Sequence, residues 1–426
     1  MPGLFGFMMV FKRNMLSIPK GFVKPDYNGG SIANIPATIA SLFDVAIDGL
    51  PPLPLEFWQP LAGDVQRVVL LIIDGFGWNL LHKERPTLKP LLEKSIVFEK
   101  VTSIFPSTTV SALSTLWTGA APAQHSMLGF KLFFEEFGTI GQMLAFTPSF
   151  GRYPDALVEA GLEPETFLQW PGFAEQLAAS GIPTHAFKAR QFVDSALSRM
   201  HNRGVTKDHG VLTVSDMFVR MRRLLEAKQG EPLYISAYLP TVDLLSHGFG
   251  WNDECVAAEL RANITQLQLD FLGGLSSQAR QGTVLLVTAD HGQIVTPPGD
   301  QIYIEDFPEL QQMLFMKPAG EPRVAYLYTK HGRQTDTISY INQHLGHAMI
   351  AWSAADVLEA GLWGPEPYAS TISGRIGDVV VVMRDGYSLF GTRATEHENL
   401  SWMMGRHGGL TEAEMLVPWL GFRLDR

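Results

Sequence analysis

Residues 105–119 read FPSTTVSALSTLWTG, and the rest of the chain is organised around this stretch. It follows a strand-like run and opens a helix, because Pro106 and Ser107 interrupt the strand and residues 110–117 favour a helix. Thr108 or Thr109 can cap that helix. A hydroxyl at a helix N-terminus lies beside unpaired backbone N–H groups and the positive end of the dipole, where a phosphate can meet a nucleophile. An ordinary N-cap is the alternative interpretation.

Acidic residues follow apolar runs elsewhere in the chain. Residues 68–73 read VVLLII, six apolar residues without alternation, and Asp74 follows directly. Such a run is typical of a parallel strand that is buried on both faces. Residues 283–288 form a second run of this kind, and Asp290 and His291 come after it. Open α/β sheets bind ligands at the carboxyl ends of their strands, although Asp74 could also be a helix N-cap.

A third apolar run, residues 233–239, leads to Asp243 and His247. These two residues are four positions apart and share one helical face, so both can reach one ion. His407 lies in a Gly-flanked loop near the end of the chain. Carboxylates and imidazoles without a thiolate favour zinc, or manganese, in a hydrolytic site where the hydroxyl of Thr109 is the nucleophile. Taken singly, a histidine is more simply a satisfied polar residue.

The order of strands and helices predicts an α/β fold with a mostly parallel central sheet flanked by helices on both faces. Residues 1–60 are rich in Pro and Gly, and we expect them to wrap around the domain. Residues 61–426 are then one catalytic domain. Within it, residues 151–228 and 298–376 are the expected cap insertions.

Composition narrows the classes of function. The 426 residues are 46% hydrophobic and 18% charged, which indicates a globular protein. The net charge of −10 argues against a nucleic acid polymer as partner, but not against a small anionic substrate, because bound metal can reverse the local field. Cys255 is the one cysteine, which suits a reducing compartment. Residues 1–14 lack the charge order of a signal peptide, and no long apolar run occurs, so we expect a cytoplasmic protein without a membrane partner.

At these residues the sequence resembles the alkaline-phosphatase superfamily, and most closely its type I phosphodiesterase and nucleotide pyrophosphatase branch. The matching phrases are IIDGFG, FPSTTVSALSTLWTGAAPAQHSMLGF, DLLSHGFG, TADHG and GRHGGL, in family order between residues 72 and 410. The resemblance implies an alkaline-phosphatase-like fold and two divalent metal ions. It places one metal on Asp243, His247 and His407. It places the other on Asp74, Asp290, His291 and the oxygen of Thr109.

The resemblance also implies a reaction. In the family the nucleophile lies nine residues before the threonine of the TG that ends its helix, and counting back from Thr118 gives Thr109 rather than Thr108. We therefore expect a metal-dependent hydrolase of small phosphate esters, of the phosphodiesterase or nucleotide pyrophosphatase type, with a covalent phospho-threonine intermediate. A phosphomonoesterase or a phosphomutase on the same scaffold is one alternative. A metal-binding interaction module without turnover is another.

One position departs from the family pattern. The nucleotide-cleaving branch has an asparagine about twenty residues past the nucleophile, which helps to hold a phosphoryl oxygen. Here that position falls at or beside Phe130, and no asparagine is near it. Backbone N–H groups, the metals, Lys131 or Arg406 are the remaining candidates for that task.

Overall fold

The computed structural model describes residues 16–393 and 403–426 of the chain. Residues 1–15, the start of the expected wrapping segment, lie outside the described residues. The strands are β1 (Arg67–Ile73), β2 (Val97–Thr102), β3 (Lys131–Phe134), β4 (Thr139–Gln142), β5 (Thr147–Pro148), β6 (Thr184–Ala189), β7 (Lys207–Val211), β8 (Leu233–Leu239), β9 (Thr283–Thr288), β10 (Ile294–Val295), β11 (Gln301–Tyr303), β12 (Ala319–Glu321), β13 (Val324–Leu327), β14 (Met349–Ser353), β15 (Val379–Met383), β16 (Ser388–Phe390), β17 (Gly405–Arg406) and β18 (Leu416–Arg423).

The helices lie between these strands. They are α1 (Ile35–Leu42), α2 (Trp78–Lys83), α3 (Arg85–Leu92), α4 (Thr109–Leu116), α5 (Pro122–His125), α6 (Ala156–Glu159), α7 (Pro164–Phe167), α8 (Phe173–Ala179), α9 (Ala196–His201), α10 (Val214–Ala227), α11 (Thr241–Phe249), α12 (Glu254–Gln266), α13 (Ser277–Arg280), α14 (Pro308–Met313), α15 (Gln334–His344), α16 (Ala354–Glu359), α17 (Ile372–Arg375) and α18 (Glu412–Met415). A π-helical turn, Leu267–Leu272, continues α12. Within the described part of the chain, no helix combines the length and the apolar character needed to cross a membrane.

The central sheet has seven strands in the order β2-β18-β9-β1-β8-β6-β7. Its neighbours pair in parallel except at β18, which runs antiparallel to β9 and β2. The predicted mostly parallel α/β sheet is therefore confirmed. In its middle, Ile73 of β1 lies beside Leu239 of β8, and Ile72 lies beside Thr288 of β9. These three buried strands end together, so the residues that follow them meet at one edge.

A second sheet of seven strands is antiparallel throughout, in the order β14-β15-β13-β12-β3-β4-β5. In β15, Val380 and Val382 join the same core as Phe105 and Val110, whereas Val379 and its alternate neighbours pack on the other face. This alternation is the period of a strand with two packed faces. One face of the second sheet thus packs against the segment that leads into α4.

The expected cap at 151–228 is only partly separate from the central sheet. β6 and β7 lie inside this range and extend the central sheet beyond β8. The sequences of these strands, THAFKA and KDHGV, interleave polar and apolar residues, so they lack the continuous apolar run that marks β1, β8 and β9. The expected cap at 298–376 supplies β12, β13 and β14 to the second sheet.

The segment 16–60 packs against both cores. Its helix α1 is almost wholly buried in the central core. Phe22 forms an isolated bridge with Thr411, and Ser31 forms another with Thr102. The Tyr27 hydroxyl donates to the carbonyl of Leu362 at 2.9 Å. The described part of this segment therefore joins the two sheets on the side of α4.

Candidate active site

Asp74 and Asp290 meet at the common edge of β1 and β9. Gly75, which follows β1, has φ +70°, and a Cβ there would lie 3.0 Å from the Cα of Asp243. Glycine fits this position for two reasons: it adopts a positive φ without strain, and it has no Cβ to collide with Asp243. The N–H of Gly75 donates to Asp290 Oδ1 at 3.3 Å, and this bond joins the two strand ends. Both aspartates are buried, Asp290 completely.

Helix α11 brings Asp243 and His247 together, as their spacing predicts. His247 Nε2 lies 3.2 Å from Asp243 Oδ2. The other oxygen of Asp243 accepts from the amide of Gln293, which also donates to the Asp243 carbonyl at 3.2 Å. His407 reaches the same place from the loop after β17, with its Nε2 3.9 Å from Asp243 Oδ1. Asp243 is therefore the acid shared by both histidines.

The histidines share one hydrogen-bonding pattern. The Nδ1 atoms of His247, His291 and His407 lie 2.8–3.1 Å from the backbone carbonyls of Gly405, Gly292 and Ser107 respectively. A carbonyl only accepts, so each Nδ1 carries a proton, and in the neutral ring the lone pair is on Nε2. This arrangement is typical of histidines that bind metal through Nε2. The His291 and His407 rings are stacked with centroids 3.7 Å apart.

Acceptor atoms converge around His291 Nε2. It lies 3.4 Å from Asp74 Oδ1 and 3.4 Å from Asp290 Oδ2. Both of these carboxylate oxygens are buried without a hydrogen-bond partner. Two unpartnered carboxylate oxygens that face an imidazole nitrogen would be stabilised by a positive charge between them. These residues therefore fit a divalent cation, and Asp74, Asp243 and His291 offer ligand atoms that lie within 4.8 Å of one another.

A second group of ligand atoms adjoins the first. Asp243, His247 and His407 also offer atoms within 4.8 Å of one another. Asp243 belongs to both groups, so it lies between the two possible ion positions. The structure thus brings together the six Asp and His residues that were predicted as metal ligands, and the hard oxygen and imidazole donors suit zinc or manganese.

The pKa values follow from burial and from neighbouring charge. Burial, with the charges of Asp243 and Asp290, raises the pKa of Asp74 well above its ordinary value. Burial also raises the pKa of Asp290. Burial alone would raise the pKa of Asp243, but His247 and His407 outweigh it and hold that pKa well below its usual range. A cation would relieve the two raised acids, because it favours their charged forms.

Thr109 opens α4 and is half-buried. Its Oγ1 lies 3.1 Å from His291 Nε2. With a lone pair on that nitrogen, the Thr109 hydroxyl donates to His291 Nε2. The same nitrogen lies beside Asp74 and Asp290. Thr108, the N-cap residue, is only 2% exposed and makes no capping bond with its side chain. Of these two adjacent threonines, Thr109 is therefore the one whose hydroxyl contacts the predicted metal ligand His291.

The family model for type I phosphodiesterase / nucleotide pyrophosphatase matches residues 68–410 of the chain. The chain belongs to this family. The match spans every residue of the cluster described above, from Asp74 to His407. A comparison with curated proteins finds no match.

Solved structures place this family member in the same fold. Murine ectonucleotide pyrophosphatase / phosphodiesterase 5 superposes with a TM-score of 0.62 at 17% identity, covering 84% of this chain and 88% of that one. An inactive threonine-to-alanine variant of the murine protein is in complex with AMP. Phosphonoacetate hydrolase from Sinorhizobium meliloti, in complex with phosphonoformate, superposes with a TM-score of 0.60 at 18% identity, covering 83% of this chain and 89% of that one.

A cavity of about 180 Å³ opens beside Thr109 in this phosphodiesterase-family chain. Trp117, Phe192 and Tyr238 contribute aromatic surface to it, and Lys188 contributes a positive charge. The ammonium group of Lys188 is already engaged, because it lies 3.1 Å from Asp208. The cavity therefore offers mainly apolar contacts next to a charged cluster.

Three residues near the cluster carry no motif in the sequence. The Tyr238 hydroxyl donates to Asp74 Oδ2, and Gln293 donates to Asp243, as described above. Glu321 is buried, and a Cβ on Gly408 would overlap its carboxyl group. Tyr238 lies near the end of β8, which is the one signal that could have marked it. Arg406 was one of the residues expected to hold a phosphoryl oxygen. Its guanidinium group lies over the Phe390 ring, 5.0 Å from the ring centre.

Proposed function

We propose that the protein is a metal-dependent hydrolase of small phosphate esters that works through a covalent phospho-threonine at Thr109. One observation carries the proposal. The Thr109 hydroxyl lies 3.1 Å from His291 Nε2, and that nitrogen faces two buried carboxylate oxygens that have no hydrogen-bond partner. A nucleophile beside a preformed cation site is the arrangement that phosphoryl transfer needs.

Two divalent ions, zinc or manganese, are the proposed cofactors. Asp243, His247 and His407 would hold the first ion. Asp74, Asp290, His291 and the Thr109 oxygen would hold the second. When bound, such ions supply positive charge that lowers the pKa of a hydroxyl and stabilises charge on phosphoryl oxygens.

The residues of the chain then have distinct tasks in the reaction. The Thr109 hydroxyl loses its proton to water and its oxygen attacks phosphorus, so a phosphorus–oxygen bond to Thr109 forms. The bond to the leaving ester oxygen breaks, and that oxygen leaves with the bonding pair and takes up a proton from water. Water next cleaves the phospho-threonine and regenerates the hydroxyl. The carbonyls that fix the histidine Nδ1 protons keep each ring in one orientation throughout, which avoids reorganisation during the reaction.

The cavity beside Thr109 is the proposed place for the organic group of the substrate. Its aromatic lining suits a flat or apolar group, and its volume of about 180 Å³ limits that group to a small molecule. Two proteins of similar structure were solved in complex with AMP and with phosphonoformate, and these ligands support a small phosphorylated substrate for this chain.

A panel of para-nitrophenyl phosphate mono- and bis-esters, with zinc or manganese added, tests the proposal. We expect turnover of at least one ester, and we expect Thr109→Ala to lower kcat by more than about 1,000-fold without loss of bound metal. Thr108→Ala, tested beside it, should retain measurable turnover because Thr108 is buried and it is the Thr109 hydroxyl that contacts His291. Absence of turnover on every ester with metal still bound would favour a binding module, and an inactive Thr108→Ala with a fully active Thr109→Ala would overturn the nucleophile.

A further inference from the structure

The hydroxyl of Tyr238 has no task in the reaction described above. Tyr238 precedes Leu239, the last residue of β8, and its ring forms part of the wall of the cavity beside Thr109. The hydroxyl leaves that wall and donates to Asp74 Oδ2. An ionised carboxylate only accepts, so the direction of this hydrogen bond is fixed. One side chain therefore joins the cavity to the acid cluster.

Two acids of the cluster share a division between their oxygens. Asp74 Oδ2 is held by the Tyr238 hydroxyl, whereas Asp74 Oδ1 has no hydrogen-bond partner among the described residues. In Asp290 the N–H groups of Gly75 and His291 donate to Oδ1, at 3.3 and 3.0 Å, and Oδ2 has no such partner. Each of the two unpartnered oxygens lies 3.4 Å from His291 Nε2. The chain thus turns one oxygen of each acid toward the place proposed for the second ion.

The backbone of Asp74 is fixed independently of its side chain. Its N–H donates to the carbonyl of Leu239 at 2.9 Å, which ties the end of β1 to the end of β8. Only rotation of the carboxyl group then decides which oxygen faces His291. The Tyr238 hydroxyl is the side-chain group that sets this rotation, because the donors to Asp290 are backbone groups.

Tyr238 is itself held in place. It pairs with Ile72 in the parallel ladder between β8 and β1, and its ring centre lies 6.5 Å from that of Phe192. A group that orients a metal ligand must have a position of its own that packing determines. Tyr238 meets this condition.

The number of oxygens that Asp74 offers affects the choice of metal. An aspartate can bind an ion through one oxygen or through both. A hydrogen bond to one oxygen opposes the second mode, because the ion and the hydroxyl compete for the same lone pairs. Zinc sites usually have four ligand atoms, whereas manganese suits sites with more oxygen ligands. A carboxylate restricted to one oxygen therefore favours zinc.

We propose that Tyr238 is a positioning residue that presents Oδ1 of Asp74 alone to the second metal ion and thereby favours zinc over manganese. The inference rests on the proposed function, because it takes that ion to be held by Asp74, Asp290, His291 and the Thr109 oxygen. The Tyr238 hydroxyl acts through Asp74 and transfers no proton.

Tyr238→Phe tests the inference, because it removes the hydroxyl and keeps the ring. Competition titrations with a chromophoric chelator give the Kd of each bound ion, and the second site is the one whose affinity Asp290→Asn also lowers. At that site we expect Tyr238→Phe to raise the zinc Kd by about 10-fold, as for a lost partner of a metal ligand. The manganese Kd should stay the same, because Asp74 can then offer both oxygens.

A matched control makes the same substitution in the same strand. Tyr234 is 2% exposed, and its ring packs against Phe173 with centres 5.3 Å apart. Tyr234→Phe should change neither Kd. General loosening of the site in Tyr238→Phe would weaken zinc and manganese to the same degree, and that result would overturn the inference. An unchanged zinc Kd would overturn it as well.

These titrations require no turnover, so they separate the inference from the proposed function. If the wild type binds zinc but hydrolyses no ester, the proposed function fails while the role of Tyr238 is still tested. In an active enzyme, Tyr238→Phe should leave KM unchanged, because the ring still forms the cavity wall. Its activity should fall at limiting zinc and recover with excess zinc. A loss that excess zinc does not reverse would place the hydroxyl in the reaction itself and overturn the positioning role.

Discussion

Glu321 illustrates how a single buried acid makes stability depend on pH. Its pKa is raised from 4.5 to about 8 in the folded chain, with burial as the main cause. The folded state therefore keeps a proton that the unfolded state releases. Below pH 4.5 the carboxyl group is protonated in both states and does not disfavour folding. As the pH rises from 4.5 to about 8, the unfolded state releases the proton and the folded state keeps it, so the free energy of unfolding falls. The effect belongs to one residue, so one substitution removes it.

We predict that Glu321→Gln changes the slope of stability against pH. The free energy of unfolding of the variant, relative to the wild type, should rise by about 1.4 kcal/mol per pH unit up to about pH 8 and then level off. The reason is that the glutamine side chain of the variant has no titrating proton to lose. Urea unfolding of both metal-free proteins, at unit steps from about pH 5 to pH 9, measures the difference. Parallel curves for the two proteins would contradict a neutral, buried Glu321.

The residues of the site could be named from the sequence because each lies in a short motif after a strand or within a Gly-flanked loop. The structure brings Asp74, Asp290 and His407 into one cluster, while their roles as metal ligands stay a prediction. Glu321 could not be named in this way. Its position depends on which strands pair across the molecule, and nothing local in the sequence encodes that pairing.

At the scale of elements, hydrophobic pattern predicted the middle of the central sheet. β1, β8 and β9 are mainly apolar and are buried along almost their whole length, because both faces of the sheet are covered. β7 lies at the edge of the sheet and reads KDHGV, so the same rule does not detect it. The antiparallel second sheet was also not predicted, since its strands are short and come from distant parts of the chain.

A buried ion pair connects the second sheet to the loop of His407. Arg323, beside the β12–β13 hairpin, binds both oxygens of Glu414 at 2.9 Å. Both side chains are fully buried. Glu414 also accepts from the N–H of Gly409 at 2.9 Å, two residues past His407. The pair therefore holds the His407 loop against the second sheet.

We predict that Glu414→Ala destabilises the protein by about 3–5 kcal/mol, because it leaves the Arg323 charge buried without a partner. Urea unfolding at neutral pH measures this loss. The double variant Arg323→Met with Glu414→Leu removes both charges and should lose less than the single variant. A double variant that is at least as unstable as Glu414→Ala would contradict this account of the pair.

At the scale of the whole molecule, the site lies where two cores meet. The central core ends at the carboxyl edge of β1, β8 and β9, and the second core covers the start of α4. Folding therefore forces three buried aspartates together. Without a cation this arrangement opposes folding, because Asp74 and Asp290 have raised pKa values that reflect burial and the mutual repulsion of the acids. Metal binding and global stability should consequently be coupled.

The metal-free protein should accordingly lose stability as pH rises, and added zinc should restore it. The raised pKa values of Asp74 and Asp290 mean that their protonated forms favour folding, and this contribution is lost as pH rises through the folded-state values. Saturating zinc at about 100 times its Kd should add about 2.7 kcal/mol per site to the free energy of unfolding, and less at acid pH, where protons compete for the ligands.

Asp290→Asn should raise the Tm of the chelated protein at pH 8 and should reduce the rise in Tm that zinc produces. Asp336→Asn, a surface change in a pair with Arg333, should alter neither quantity. Calorimetric melting with chelator and with zinc measures both effects, and a chelated Asp290→Asn that melts below the wild type would show that these acids do not repel one another.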